Sequence, residues 1–137
     1  DSLGEFCALG ESLNFVAEST GNSKAGVLGK AVDAATQLLL ANDKSPSRRV
    51  GQTDTRDSHY YFALYWAQAL ATQTEDQGLA DDFAALAAAL ADNEKTITAE
   101  LASTQGKPCD LGGYYHAASD KVTLVMRPSA TLNSIIG

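Results

Sequence analysis

The sequence has few cysteines, no long apolar run and no excess of positive charge. Cys7 and Cys109 are too few for a disulfide framework, so we expect reduced thiols in the cytoplasm, with a single bridge as the alternative. No stretch approaches the roughly 18 apolar residues of a membrane-spanning helix. Ten Lys and Arg against 17 Asp and Glu give a net charge of −7, which disfavours a nucleic-acid binder. We therefore predict a cytoplasmic protein with neither nucleic acid nor a membrane as partner.

The sequence also lacks the signals of several kinds of segment and site. It has no initiating Met, and its first residues lack the basic start and apolar stretch of a signal peptide. The missing Met predicts a chain that was processed, cut or taken from a longer one. The pattern Gly-x-Gly-x-x-Gly, the Walker loop and zinc-ligand spacing are missing as well. We expect no catalytic residue and no metal ligand in these 137 residues, and an inactive isolated chain.

Helical patterns dominate what is present. Alanine is frequent and β-branched residues are sparse, which favours helix. Apolar residues at steps of three and four predict four long helices, over about 3–18, 23–41, 57–74 and 79–104. The third is apolar nearly all round and should be buried on most faces. In the fourth, Asp92-Asn93-Glu94 interrupts the apolar face, which allows a kink.

The last thirty residues give weaker signals. Ser129 can cap a short last helix over about 132–136, whereas residues 120–126 fit either a short helix or a strand. Tyr114 and Tyr115 are expected to pack, and the apolar residues 135–137 are expected to dock on the rest of the fold. We thus predict a mainly α fold: a single helical segment over residues 1–137, with about four long helices and a short C-terminal one.

A basic segment, residues 44–56, is the most informative feature by composition. It contains four cations, Lys44, Arg48, Arg49 and Arg56, against one carboxylate, so it carries +3 and the rest of the chain −10. Such a cluster on an acidic protein favours a specific anion, and Arg suits bidentate phosphate recognition. The hydroxyls of Ser45 and Ser47 could add donors. The alternative is that the charges are solvated, or pair with Asp54 and Asp57.

Other polar and aromatic residues favour structural roles. His59, near a helix start, could act as a base or a metal ligand. However, no Cys or second His lies at ligand spacing, so a structural hydrogen bond is favoured. Tyr60, Tyr61 and Tyr65 recur at helical spacing and are predicted to lie in the core.

Four stretches together are similar to one protein family. They are Asp1-Ser-Leu-Gly-Glu-Phe6, Lys44-Ser-Pro-Ser-Arg-Arg-Val-Gly51, Ser58-His-Tyr-Tyr-Phe-Ala-Leu-Tyr-Trp-Ala67 and Gln105-Gly-Lys-Pro-Cys-Asp-Leu-Gly-Gly-Tyr-Tyr115. Met126-Arg-Pro-Ser-Ala-Thr131 adds to them. The chain resembles the C-terminal part of the monomeric, NADP-dependent isocitrate dehydrogenases. The resemblance covers essentially all 137 residues, about the last fifth of the family's chain.

The resemblance implies an activity, cofactors and two site residues. The activity is oxidative decarboxylation of isocitrate to 2-oxoglutarate, with NADP reduced to NADPH. Mg or Mn is the metal, and its ligands and those of isocitrate lie outside this chain. The segment would be part of the terminal domain of a larger α/β enzyme, with NADP in the cleft between domains. Asp1 and Arg48 match family residues that contact NADP, and Arg49 is a weaker candidate.

A second hypothesis is a non-catalytic short homologue, a helical module that binds a phosphate ligand or self-associates. Without the rest of the family's chain, apolar faces would be left uncovered. Leu3, Phe6 and the aromatic residues 60–66 are the expected ones. Large exposed apolar patches find partners, so we predict that the isolated chain forms a homodimer.

Overall fold

Residues 2–137 are described by the computed structural model, and they form seven α-helices and no strand. The helices are α1 (Ser2–Thr20), α2 (Ser23–Ala41), α3 (Thr55–Thr72), α4 (Gln77–Asp92), α5 (Glu94–Ala102), α6 (Ser119–Met126) and α7 (Ala130–Ile136). The mainly α prediction is confirmed for these residues, but the count of seven corrects the expected five. Within the same residues, none of the helices is long and apolar enough to cross a membrane.

Two local features account for the additional helices. The predicted helix over 79–104 is divided at Asn93, whose side-chain Nδ2 donates a 2.9 Å hydrogen bond to the carbonyl of Ala89 in the last turn of α4. Asn competes in this way with helical backbone bonding. The ambiguous residues 120–126 lie in helix α6, which ends before Pro128 because the residue preceding a proline disfavours helical backbone angles.

Helices α1 and α2 form a tight antiparallel pair. Gly21 ends α1 with φ of +70°, a left-handed conformation that glycine adopts readily. The side chain of Asn22 then caps α2 by accepting a hydrogen bond from the backbone N–H of Ala25 at 3.2 Å. The helices approach closely at Gly29, where an added Cβ would lie 2.2 Å from Oδ1 of Asn14. The close contact between α1 and α2 is therefore possible because glycine has no side chain at this position.

Helix α3 is the centre of the core, as its composition predicts. It packs against both α2 and α4, and its buried apolar residues are Tyr60, Tyr61, Phe62, Leu64, Ala67 and Leu70. The hydroxyl of Tyr60 donates to the carbonyl of Leu90 on α4 at 2.8 Å, so the buried phenol is satisfied. Tyr65 is half-buried and packs against the same core. The three tyrosines are core residues, as predicted.

The expectation that Phe6 and the aromatic residues of α3 would be uncovered is wrong. Phe6 is only 4% exposed because its ring packs on Phe62, and Leu3 is half-buried. Large apolar side chains that are exposed lie elsewhere in the described residues. Among them are Phe15, Leu40, Val50 and Leu124, with 52–73% of their surface exposed.

The segment between α5 and α6 corrects a second expectation. Tyr114 and Tyr115 do not pack on the core; they are 91% and 88% exposed and contact one another edge to face. Their rings lie in a non-helical stretch and directly follow two glycines. At the C-terminus, Ile135 packs against the core as predicted, whereas Ile136 is 52% exposed.

Candidate functional site

The basic segment forms the connection between α2 and α3. We call residues 42–54 the basic loop; Thr55 and Arg56, predicted to belong to the loop, are already helical. The helix begins early because Asp54 caps it. The Oδ1 atom of Asp54 accepts hydrogen bonds from the backbone N–H groups of Arg56 and Asp57, at 2.8 and 3.1 Å. Asp57 in turn accepts from the N–H of Asp54, which completes a capping box.

Internal hydrogen bonds close the basic loop on itself. The N–H of Ser47 donates to the carbonyl of Thr53 at 2.7 Å, and the N–H of Gln52 donates to the carbonyl of Arg49 at 3.2 Å. The hydroxyl of Ser47 donates to Oε1 of Gln52 at 2.5 Å. This hydroxyl, predicted as a donor for a ligand, is therefore already engaged within the loop. Gly51 permits the turn with φ of +83°.

Gln105, which follows α5, holds the basic loop from outside. Its Oε1 accepts a hydrogen bond from the N–H of Gly51 at 2.8 Å, and its Nε2 donates to the carbonyl of Gln52 at 3.0 Å. The same Nε2 lies 3.0 Å from Oδ2 of Asp54. The sequence pattern did not single out Gln105. Apolar periodicity carries no information about a polar contact across more than fifty residues.

Two of the four cations of the segment are engaged. Nζ of Lys44 lies 4.3 Å from the ring centroid of Tyr61, a cation–π geometry. Arg56 has only 15% of its side chain exposed and forms an ion pair with Asp54 at 2.5 Å. Its Nη1 also donates to the carbonyl of Val125 at 2.7 Å. For Arg56, the alternative of pairing with a neighbouring carboxylate is correct.

This pairing is reflected in the titration of Asp54. Burial by itself raises the pKa of its carboxyl group, but hydrogen bonds from Arg56, Asp57 and Gln105 outweigh that effect and hold the pKa below its usual range. Asp54 is thus a carboxylate that belongs to the framework of the loop, and it is not free to neutralise the remaining arginines.

Arg48 and Arg49 are the cations that remain available. Both are exposed, and within residues 2–137 neither guanidinium group forms an ion pair or a hydrogen bond. The same loop forms a polar depression, which is lined by Asp43, Ser45, Pro46, Ser47, Gly51, Gln52 and Thr53. Five guanidinium N–H donors per arginine then face solvent on a closed loop. This arrangement can bind an anion, phosphate above all.

Asp1, the other residue matched to an NADP contact, lies outside the described residues, so its role stays a prediction. His59 makes the structural hydrogen bond expected of it, with Nδ1 2.7 Å from the carbonyl oxygen of Thr55. In the described part of the chain, no three His, Cys, Asp or Glu side chains lie close enough together to hold a metal ion.

Comparison with known proteins gives a consistent result over the whole chain. A family model described as monomeric isocitrate dehydrogenase matches residues 1–137. Isocitrate dehydrogenase (NADP) 2 of Mycobacterium tuberculosis is 54% identical over 136 residues, 99% of this chain and 18% of the relative. The NADP isocitrate dehydrogenase of Azotobacter vinelandii is 53% identical, with the same shares covered. That of Corynebacterium efficiens is 52% identical, with 19% of its length covered.

The chain thus spans about a fifth of the length of the curated relatives it matches. The family match nevertheless includes every residue of the chain. The identity above 50% is carried by almost the full 137 residues, and not by one short motif. The chain belongs to the monomeric isocitrate dehydrogenase family.

Proposed function

We propose that this chain is the C-terminal segment of an NADP-dependent isocitrate dehydrogenase. The relatives are named for isocitrate and NADP, and each is several times longer than this chain. The proposed activity, oxidative decarboxylation of isocitrate to 2-oxoglutarate, belongs to the complete polypeptide, a larger α/β enzyme of the cytoplasm. Residues 1–137 would form part of its terminal domain. The proposed contribution of the segment is part of the NADP site.

The accessible guanidinium of Arg48 is the observation that carries this proposal. It lies on a loop closed by its own hydrogen bonds, and no carboxylate of residues 2–137 pairs with it. NADP carries phosphate groups, and a guanidinium can donate two parallel hydrogen bonds to phosphate oxygens. Arg48 would hold one phosphate of NADP, with Asp1 as a second contact through its match to the family motif. Arg49 is the weaker candidate.

The segment would bind and orient the cofactor without taking part in bond making. NADP, when bound, supplies the hydride acceptor of the reaction. The Mg or Mn ion of the family would be held by residues outside this chain. Removing a cofactor contact should therefore change NADP affinity and leave turnover at saturating NADP nearly intact.

The test is Arg48→Ala in a complete enzyme that carries this segment. Losing a hydrogen bond to a charged group costs about 1.5–3 kcal/mol, so the NADP dissociation constant should rise about 10- to 150-fold. Lys95→Ala removes one positive charge from an exposed position on α5 and is the matched control. Unchanged affinity, or an equal loss in the control, would reject the role of Arg48. Isothermal titration calorimetry measures the NADP dissociation constant of both variants.

For the isolated chain we propose a homodimer. The surface that favours it is not the one predicted. The large apolar side chains that are exposed are instead residues such as Phe15 on α1, Leu40 on α2 and Leu124 on α6. Sedimentation equilibrium at high micromolar concentration should give twice the 14.4 kDa mass of the chain. A monomer under these conditions would contradict both the dimer and the non-catalytic, self-associating module as an alternative function.

A further inference from the structure

We infer that Gln105 is a positioning residue for NADP binding, because its side-chain amide fixes the backbone of the basic loop that carries Arg48. The inference rests on the proposed role of Arg48. Gln105 forms no hydrogen bond with the guanidinium of Arg48. It would act through the backbone of Gly51 and Gln52, which follow Arg48 by three and four residues. Its position after α5 brings a separate part of the fold to the cofactor site.

Gln105 pairs with the loop through both ends of its amide. Its oxygen accepts from the N–H of Gly51 and its nitrogen donates to the carbonyl of Gln52. A side-chain amide has the same donor and acceptor as a peptide group, so it satisfies the two backbone groups as a neighbouring strand would. Gln105 is itself fixed in the turn after α5, where its N–H donates to the carbonyl of Ala102 at 3.0 Å.

The neighbouring residue provides a second contact. Gly106 has φ of +65°, and an added Cβ would lie 2.9 Å from Cγ1 of Val50. Val50 therefore packs directly over the Gly106 backbone. Val50 is 73% exposed, so this packing buries little apolar surface. Among the contacts made from outside the loop, the hydrogen bonds of Gln105 are accordingly the main restraint at this point.

The same amide joins the basic loop to the start of α3. Nε2 of Gln105 donates to Oδ2 of Asp54, the oxygen that also accepts from Nε of Arg56 at 3.1 Å. Gln105 therefore lies at the edge of a network whose other members hold the helix terminus. Gln105 is half-buried and outside the hydrophobic core. Its loss should loosen the loop and leave the helices packed.

Loosening the loop lowers the fraction of molecules in which Arg48 is correctly placed. The apparent dissociation constant rises by the inverse of that fraction. A loop that is competent in one molecule in five to one in ten gives an increase of about five- to tenfold. Turnover at saturating NADP should stay the same, because the bound state restores the loop.

The experiment uses Gln105→Met in a complete enzyme that carries this segment. Met has a similar length but neither donates nor accepts the hydrogen bonds described. Gln77→Met is the matched control, since Gln77 donates a single exposed hydrogen bond to Asp81 on α4. Gln105→Asn, one methylene shorter, is a second variant that keeps the amide, in case the Met variant fails to fold. The NADP dissociation constant, the isocitrate KM and kcat are measured for each.

We expect Gln105→Met to raise the NADP dissociation constant about five- to tenfold, with isocitrate KM and kcat unchanged. In an Arg48→Ala background, the same substitution should have less than about a twofold effect, because the residue it positions is gone. An effect no larger than that of Gln77→Met overturns the inference. The inference is also overturned if Gln105→Met weakens NADP binding by the same factor in the Arg48→Ala background as in the wild type. It is overturned as well if kcat and the isocitrate KM change as much as the NADP dissociation constant does.

The same set of variants separates the two proposals. If Arg48→Ala weakens NADP binding and Gln105→Met does not, only the role of Gln105 fails. If Arg48→Ala has no effect, the proposed function of Arg48 fails, and the inference fails with it.

Discussion

The rings of Phe6 and Phe62 stack with their centroids 3.9 Å apart and their planes 2° from parallel. Phe6 lies in the second turn of α1, and Phe62 lies in the first half of α3. The ring of His59 meets Phe6 edge-on, with centroids 5.2 Å apart. The first helix is thus joined to the central helix as well as to its neighbour α2, and residues distant in sequence share one core.

Phe6→Ala should be strongly destabilising. Removing a buried Phe side chain leaves a cavity and loses its transfer free energy, about 3–5 kcal/mol in free energy of unfolding. Phe15→Ala is the control on the same helix. Phe15 is 68% exposed, so its loss should cost no more than about 0.5 kcal/mol. Urea unfolding followed by circular dichroism measures both, and equal losses would contradict the assigned packing.

Gly29→Ala and Gly4→Ala should change stability in opposite directions. A Cβ at Gly29 would lie 2.2 Å from Oδ1 and 3.3 Å from the backbone nitrogen of Asn14. Forcing the α1 and α2 helices apart should cost about 1–3 kcal/mol. A Cβ at Gly4 meets no heavy atom within 4 Å, so helix propensity alone should stabilise by up to about 1 kcal/mol. Thermal unfolding checks the pair; a stabilising Gly29→Ala would show that the helices do not touch there.

Glu100 should make stability depend on pH in the acid range. Its carboxylate accepts hydrogen bonds from the Ser129 hydroxyl at 2.6 Å and from the backbone N–H and hydroxyl of Thr131 at 3.1 and 3.0 Å. These bonds favour the ionised form, that of Ser129 most, and together they outweigh the opposing effect of burial and lower the pKa of Glu100. Glu100 thus anchors the start of α7.

The sign of the effect follows from the lowered pKa. The stabilisation is present above the pKa that Glu100 has in the unfolded chain, and it is lost as pH falls through the lower folded value. Glu100→Gln should therefore show a smaller loss of stability than the wild type between about pH 5 and pH 3. The urea concentration at the midpoint of unfolding, measured across this pH range, gives the change in stability. Glu18→Gln, at an exposed position of α1, is the control. Parallel profiles for wild type and Glu100→Gln would contradict the prediction.

Local sequence signals predicted much of the fold. The bounds of α2 are as predicted, because Asn22 and Asn42 punctuate a clear apolar period. Ser129 caps α7 as predicted, by accepting from the N–H of Leu132 at 3.0 Å. The sequence predicted one helix over 79–104 with a possible kink, whereas the structure has two helices, α4 and α5. A polar side chain such as that of Asn93 can either face solvent within a helix or end the helix. The pattern alone does not distinguish the two.

Side-chain contacts between distant parts of the chain could not be predicted from the sequence. Arg56 looks like one more cation of the basic segment, yet its guanidinium is largely buried and bonded to Val125. Gln105 begins one of the stretches that resemble the family, but neither apolar periodicity nor composition indicates its contacts with the basic loop. The prediction that Arg48 binds NADP comes from family resemblance, and its exposed guanidinium, which is unpaired within residues 2–137, supports that role.

The amide of Gln105 gives the basic loop an order that neither a strand nor a hydrophobic contact provides. The backbone of Gly51 and Gln52 is fixed while the side chain of Val50 beside them stays mostly in solvent. The conformational entropy of this part of the loop is therefore lost when the chain folds, and not when an anion arrives. A ligand that meets Arg48 encounters a backbone already in place, which leaves more of its interaction free energy for affinity.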